Sequence, residues 1–214
     1  MIVLYVVADR GIFESDAAYF SSLEQLVPVV CEHAGVALQV RAKELAGAAR
    51  ASFIARARDT LGGEAERAFL NGDTDAALAA GFGGVHWPEA AIPAGPAPGL
   101  RAGASVHSLA ALRRAETAGA AFALFGSVFD AGSKPAAGVG LPALESVARA
   151  ASIPVLAIGG ITPDRAAACI AAGAAGVAAV TGILRARDPA AAVEEYLRVL
   201  PGVRPVPVTS STAH

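Results

Sequence analysis

The chain has 214 residues, of which 54% are hydrophobic and 17% charged, with a net charge of −2. That length suits one domain with a large core, and the balance excludes a disordered chain, which needs few apolar residues and much net charge. A nucleic-acid surface is excluded too, because Arg41, Arg50, Arg56 and Arg58 lie on or beside one solvated helical segment among acidic neighbours and form no basic stripe.

Taken in order, the chain alternates short strand-like runs with Ala-rich helical ones. Ile2–Val7 reads as the first strand; Asp9 and Arg10 follow at once, so the run is too short for a signal segment. Residues 21–34 read as a helix ending at Gly35, Val36–Arg41 as the second strand, and Glu44–Leu61 as a long helix of good helix formers. A short third strand, Ala68–Leu70, precedes a helix over Thr74–Ala80 closed by Gly81. The fourth strand is Gly83–His86. Pro88, Pro93, Pro96 and Pro98 then make 87–99 a loop instead of a helix.

The fifth strand is Ala102–Val106, and Ser108 caps a helix reaching Ala118. The sixth, Ala121–Phe125, leads into a Gly/Ser/Ala-rich loop over 126–140 and a helix over Leu141–Ala151. Pro154–Ile158 is the seventh strand, and Pro163 opens the next helix at its first position, where the missing N–H costs nothing. Gly176–Val180 is the eighth strand, and the last helix runs from Asp188–Pro189 to Leu200. The domain therefore spans 1–200, and the Pro/Ser/Thr-rich stretch 201–214 reads as a disordered tail. Cys31 and Cys169 lack CxxC spacing and read as two small buried side chains in a reducing compartment. Every apolar stretch is broken short of the ~20 residues of a membrane span, so a soluble, cytoplasmic protein with no membrane partner is expected. The sequence leaves a homo-oligomer open.

Eight strands and their helices in strict alternation imply an α/β chain with a parallel sheet and right-handed crossovers, closed into a single-domain (β/α)8 TIM barrel. The competing open, doubly wound sheet would carry a GxGxxG turn after the first strand, and Val7-Ala8-Asp9-Arg10-Gly11 is not one.

In such a barrel the site lies at the C-terminal strand ends. The polar residues there are Asp9; Gln39, Arg41 and Lys43; Asn71 and Asp73; His86 and Glu89; Ser105 and His107; Ser127, Ser133 and Lys134; and the pairs Gly159-Gly160 and Thr181-Gly182. Gly159-Gly160-Ile161-Thr162-Pro163 and Thr181-Gly182 follow the seventh and eighth strands, where backbone N–H groups in glycine turns can take a phosphate. Lys43 and Lys134, the chain's two lysines, both fall at strand ends, and a lysine is a mobile point charge suited to phosphate. His107 suits proton shuttling, because imidazole titrates near neutral pH. His86 reads as a structural contact, and His33 carries no signal. HxH or HExxH metal spacing is absent from the sequence.

Leu4-Tyr5-Val6-Val7-Ala8-Asp9, Leu38-Gln39-Val40-Arg41-Ala42-Lys43, Phe69-Leu70-Asn71, Gly83-Gly84-Val85-His86, Gly103-Ala104-Ser105-Val106-His107-Ser108, Phe125-Gly126-Ser127-Val128-Phe129 through Ser133-Lys134, Ala157 to Pro163 and Gly176 to Thr181 stand in an order and spacing that resembles the thiamine phosphate synthase/TenI family over residues 2–198. The resemblance implies one of two activities. One is a magnesium-dependent synthase joining a pyrimidine pyrophosphate to a thiazole phosphate; the other is a metal-independent tautomerase that makes a thiazole carboxylate phosphate aromatic. The synthase pattern has Asn-Asp after the third strand where this chain has Asn71-Gly72, an Asp where Ala91 stands, and a Thr where Ala131 stands. Asp73 and Glu89 are the nearest acids left to hold magnesium, which wants carboxylate oxygens in near-octahedral geometry. At 127 synthases often carry Pro and TenI proteins His, and this chain has Ser.

The expectation is therefore a tautomerase without cofactor. It has His107 as general acid/base, Gln39, Arg41, Lys43, Asn71, Ser105, Ser133 and Lys134 around a phosphorylated thiazole, and Gly159, Gly160, Thr181 and Gly182 on its phosphate. The alternatives are a synthase with magnesium at Asp73 and Glu89, and a non-catalytic thiazole or thiamine phosphate-binding regulator.

Overall fold

The computed structural model describes residues 1–130 and 138–200, so the tail expectation falls outside the described residues. Eight parallel strands close a barrel in sequence order. They are β1 (Leu4–Asp9), β2 (Val36–Arg41), β3 (Phe69–Asn71), β4 (Gly84–Trp87), β5 (Arg101–Val106), β6 (Phe122–Gly126), β7 (Val155–Ile158) and β8 (Gly176–Ala179). β1 completes the ring by pairing with β8, Leu4 opposite Val177. Around it lie α1 (Asp16–Glu32), α2 (Gly47–Leu61), α3 (Thr74–Ala79), α4 (Leu109–Thr117), α5 (Leu141–Ala150), α6 (Pro163–Ala171), α7 (Thr181–Leu184) and α8 (Pro189–Val199).

The eight expected strands are all present, with ends moved by a few residues. α1 begins five residues earlier than expected because Ser15 caps it, its hydroxyl accepting from Ala18 N at 3.2 Å. After β4 the chain makes one 3-10 turn, Glu89–Ala91, and no full helix, as the prolines require. Ile92, Ala97 and Leu100 cover the barrel there instead. Strand β8 runs into α7, a single turn where only a loop was expected. Cys169 is buried, but Cys31 is exposed on the outer face of α1, contrary to the expectation that both are buried. Among the described residues no helix is long and apolar enough to cross a membrane.

Two apolar clusters follow from the alternation of strand side chains. The larger lies between strands and helices. The smaller fills the barrel and holds Tyr5, Val7, Ala37, Phe69, Phe122, Leu124, Leu156 and Ala178. Large rings fit because glycines face them. A Cβ on Gly84 would lie 2.4 Å from the Phe69 ring, and one on Gly103 2.4 Å from the Phe122 ring. Tyr5 meets both rings edge-on, with centroids 5.4 and 5.1 Å away. This aromatic layer floors the upper half of the barrel.

Candidate functional site

Above that floor a hydrogen-bonded chain crosses the barrel. Gln39 Nε2 donates to Tyr5 Oη at 3.3 Å, Tyr5 Oη lies 3.4 Å from His86 Nδ1, and His86 Nε2 lies 3.0 Å from Ser105 Oγ. Donor counting gives the chain a direction. An amide nitrogen only donates, so Tyr5 accepts from Gln39 and its own proton goes to His86 Nδ1. His86 then donates from Nε2 to Ser105, and the Ser105 hydroxyl proton is free to point into the mouth. Burial, helped by the Arg41 charge, pushes the His86 pKa down to about 3 and holds the ring neutral. Burial likewise raises the Tyr5 phenol well above its ordinary value. Gln39 is only 2% exposed, and its bond to Tyr5 braces the floor. His86 is the structural contact the sequence suggested, and Ser105, half-buried, is the end of the chain that opens upward.

His107 follows β5 in the inward register of Gly103 and Ser105. Its backbone N and its Nδ1 both donate to Glu89 Oε2, each at 2.7 Å. In its neutral form a ring that donates from Nδ1 carries its lone pair on Nε2, so the carboxylate orients the imidazole for work as a base. Arg114 Nη2 lies 3.7 Å from the other Glu89 oxygen. This assigns Glu89 a different task from the metal ligand that the synthase alternative required. Asp73 is committed as well: it caps α3, Oδ1 accepting from Ala76 N at 3.1 Å, and its Oδ2 lies 3.8 Å from Arg50 Nη1. With one carboxylate capping a helix and the other on His107, the pair does not fit a magnesium site. Among the described residues no group of three or more His, Cys, Asp or Glu side chains could hold a metal.

Asp9 and Arg41 form an ion pair across the β1 and β2 ends, and Asp9 also accepts from Gly11 N at 3.1 Å. Asn71 is half-buried at the end of β3; its carbonyl accepts from Arg50 Nη2 at 3.4 Å, and no described residue bonds its side-chain amide. Lys43 is exposed, and no contact among the described residues joins it to the others. Ser133 and Lys134 lie outside the described residues.

Gly159 and Gly160 take φ of 99° and 62°, a region that favours glycine. A Cβ on Gly159 would lie 2.4 Å from Ser127 Cβ, and one on Gly160 2.5 Å from the Asp130 carbonyl oxygen. Ser127, whose role the sequence left open, is thus the wall against which this turn is pressed. The N–H groups of Gly159, Gly160, Thr181 and Gly182 find no backbone acceptor among the described residues, so two sets of donors stand open after β7 and β8. Tyr196 of α8 ties the two turns together. Its buried hydroxyl donates to Ile161 O at 2.8 Å and lies 2.7 Å from where a Gly182 Cβ would be. The sequence offered no signal for this residue. Tyr5 had one, a polar tip in the apolar run Leu4–Ala8.

The sequence model of the family described as thiamine monophosphate synthase matches residues 4–183. The chain is 35% identical over 199 residues to a thiamine-phosphate synthase of Roseiflexus castenholzii, covering 89% of this chain and 84% of the relative. It is 38% identical over 167 residues, 75% of this chain, to the thiamine biosynthesis bifunctional protein ThiM/ThiE of Symbiobacterium thermophilum, and spans 35% of that longer protein. The solved thiamine phosphate pyrophosphorylase of Pyrococcus furiosus superposes with a TM-score of 0.69 at 28% identity, over 92% of this chain and 95% of that one.

Proposed function

The chain belongs to the thiamine monophosphate synthase family, and from that premise we propose that it binds a thiazole phosphate and moves a proton on it without a metal, as a thiazole tautomerase. The Glu89–His107 pair carries this reading. The phosphate docks on the open N–H groups of Gly159, Gly160, Thr181 and Gly182, with Ser133 and Lys134 as further contacts and Arg41, Lys43 and Asn71 on the opposite side of the mouth. Ser105 donates its free proton to the ligand. His107 Nε2 takes a proton from the ring carbon, the released electron pair becomes a ring double bond and shifts the conjugated double bonds along, and the electron pair of the exocyclic C=C, which breaks, takes that same proton back from the imidazolium. The ring becomes aromatic, and Glu89 balances the imidazolium meanwhile. General acid–base catalysis of this kind supplies about 10²–10⁴-fold.

A second reading, thiamine-phosphate synthase, is favoured by the names of the relatives at 35 to 38% identity. It asks for a magnesium site that Asp73 and Glu89, engaged as they are, do not offer.

One assay separates the two. The protein is given both synthase substrates, and separately the non-aromatic thiazole carboxylate phosphate, with magnesium and with chelator. Tautomerisation in chelator, slowed about 10²–10⁴-fold by His107→Asn with KM little changed, supports the proposal. Magnesium-dependent thiamine phosphate formation replaces it with the synthase. Binding of thiazole phosphate with neither activity leaves a regulator.

A further inference from the structure

The N-terminal end of the barrel holds a cavity of about 320 Å³ below the aromatic floor. Its lining includes Phe69, Phe122, Pro154 and Leu156, together with Ala121, Met1 and Arg101. The upper faces of Phe69 and Phe122 meet Tyr5, so the aromatic layer separates this cavity from the mouth above. A smaller adjoining cavity of about 80 Å³ shares Met1 and Arg101 and adds Arg67.

The charges around it are unequally engaged. Arg67 donates to Glu64 at 2.8 Å and to the His33 carbonyl at 3.1 Å. Arg101 has no carboxylate or carbonyl partner among the described residues. Its guanidinium rests over the Phe69 ring, 5.1 Å from the centroid, with its N–H fork open. An apolar funnel under an unpaired guanidinium is complementary to a ligand with an apolar body and an anionic head. A carboxylate matches the fork geometry with two parallel hydrogen bonds, and a cavity of this size falls at the small end of ligand pockets.

We propose that the N-terminal end of the barrel is a binding site for a small apolar carboxylate, a single aromatic ring or branched aliphatic chain in the cavity with its carboxylate on Arg101. It is distinct from the thiazole phosphate site and does not depend on that reading.

The chain's single methionine is part of the lining, so one methyl signal reports occupancy. Protein carrying ¹³C-methyl methionine is titrated with phenylacetate and, in parallel, with neutral phenylacetamide. A saturable shift of the Met1 methyl with phenylacetate, at least tenfold weaker with the amide and with Arg101→Gln, is the expected result. Ala121→Phe, which crowds the cavity while keeping Arg101, should abolish the shift. An absent or non-saturating shift overturns the proposal, as does equal affinity for acid and amide, or an unchanged response in Ala121→Phe. The acid–amide comparison uses the unaltered protein, so it decides the matter even if a variant fails to fold.

Discussion

His86 shows how a single side chain ties the mouth to the stability of the whole. Its pKa in the fold, about 3, lies below the value near 6.5 expected of an unfolded chain. Between those values the unfolded chain binds the extra proton. The stability that depends on neutral His86 is therefore full above about pH 6.5 and falls as pH drops through the window, by at most about 1.4 kcal/mol per pH unit. Urea unfolding at pH 7, 6 and 5 should show His86→Asn to be flatter than the parent by close to one proton; coincident slopes would mean that His86 is charged inside the barrel. Gly103 makes a second prediction at this scale. Its missing Cβ leaves the space taken by the Phe122 ring and by His86 Nδ1, which would be 2.4 and 2.8 Å away. Gly103→Ala overpacks the interior and should cost about 1–3 kcal/mol in denaturant unfolding. His107 was legible from its place at a strand end, but the task of Glu89 was not. A carboxylate reads as a metal ligand or a base until its neighbour is known. That neighbour comes from the next strand, 18 residues on.

At the level of elements, the strands could be read because short apolar runs alternate with longer Ala-rich segments of helix formers, and Gly35, Gly81, Gly119 and Gly173 punctuate the ends of helices. The early start of α1 is set by its cap and not by its apolar periodicity: Ser15 accepts from Ala18 N, and Asp16 adds an acid to the first turn. The turn α7 escaped because four residues carry no periodicity. Yet α7 is where the packing matters, since Tyr196 reaches from α8 beneath Gly182 to Ile161 and clamps the turns after β7 and β8. Tyr196→Phe leaves a buried carbonyl without its donor and should cost about 1–2 kcal/mol. If the two turns share one phosphate, the dissociation constant of thiazole phosphate, read by calorimetry, should also rise several-fold while the proton-transfer step stays near its parent rate. Unchanged affinity would show that the turns hold their shape without the clamp.

For the whole molecule, the count of eight units was enough to set the closed barrel, because strict alternation leaves a parallel sheet few ways to hide both faces. The cross-barrel contacts were not legible, since ring closure brings together residues as distant as Tyr5 and His86. A ligand that binds only the closed barrel adds to its stability by mass action, about 2.7 kcal/mol at a hundredfold excess over its dissociation constant. Thiazole phosphate should raise the unfolding temperature by several degrees, in chelator as in magnesium. A rise that needs magnesium would return the metal to the site and the synthase to first place.

The space above Gly103 also constrains how this chain can change over generations. The ring of Phe122, the imidazole of His86 and the bare Cα of Gly103 compete for one volume. No one of them can grow alone, and a side chain at 103 becomes acceptable only after 122 has shrunk. Descendants of this sequence should therefore alter these positions as a set, with a smaller residue at 122 appearing before any side chain at 103.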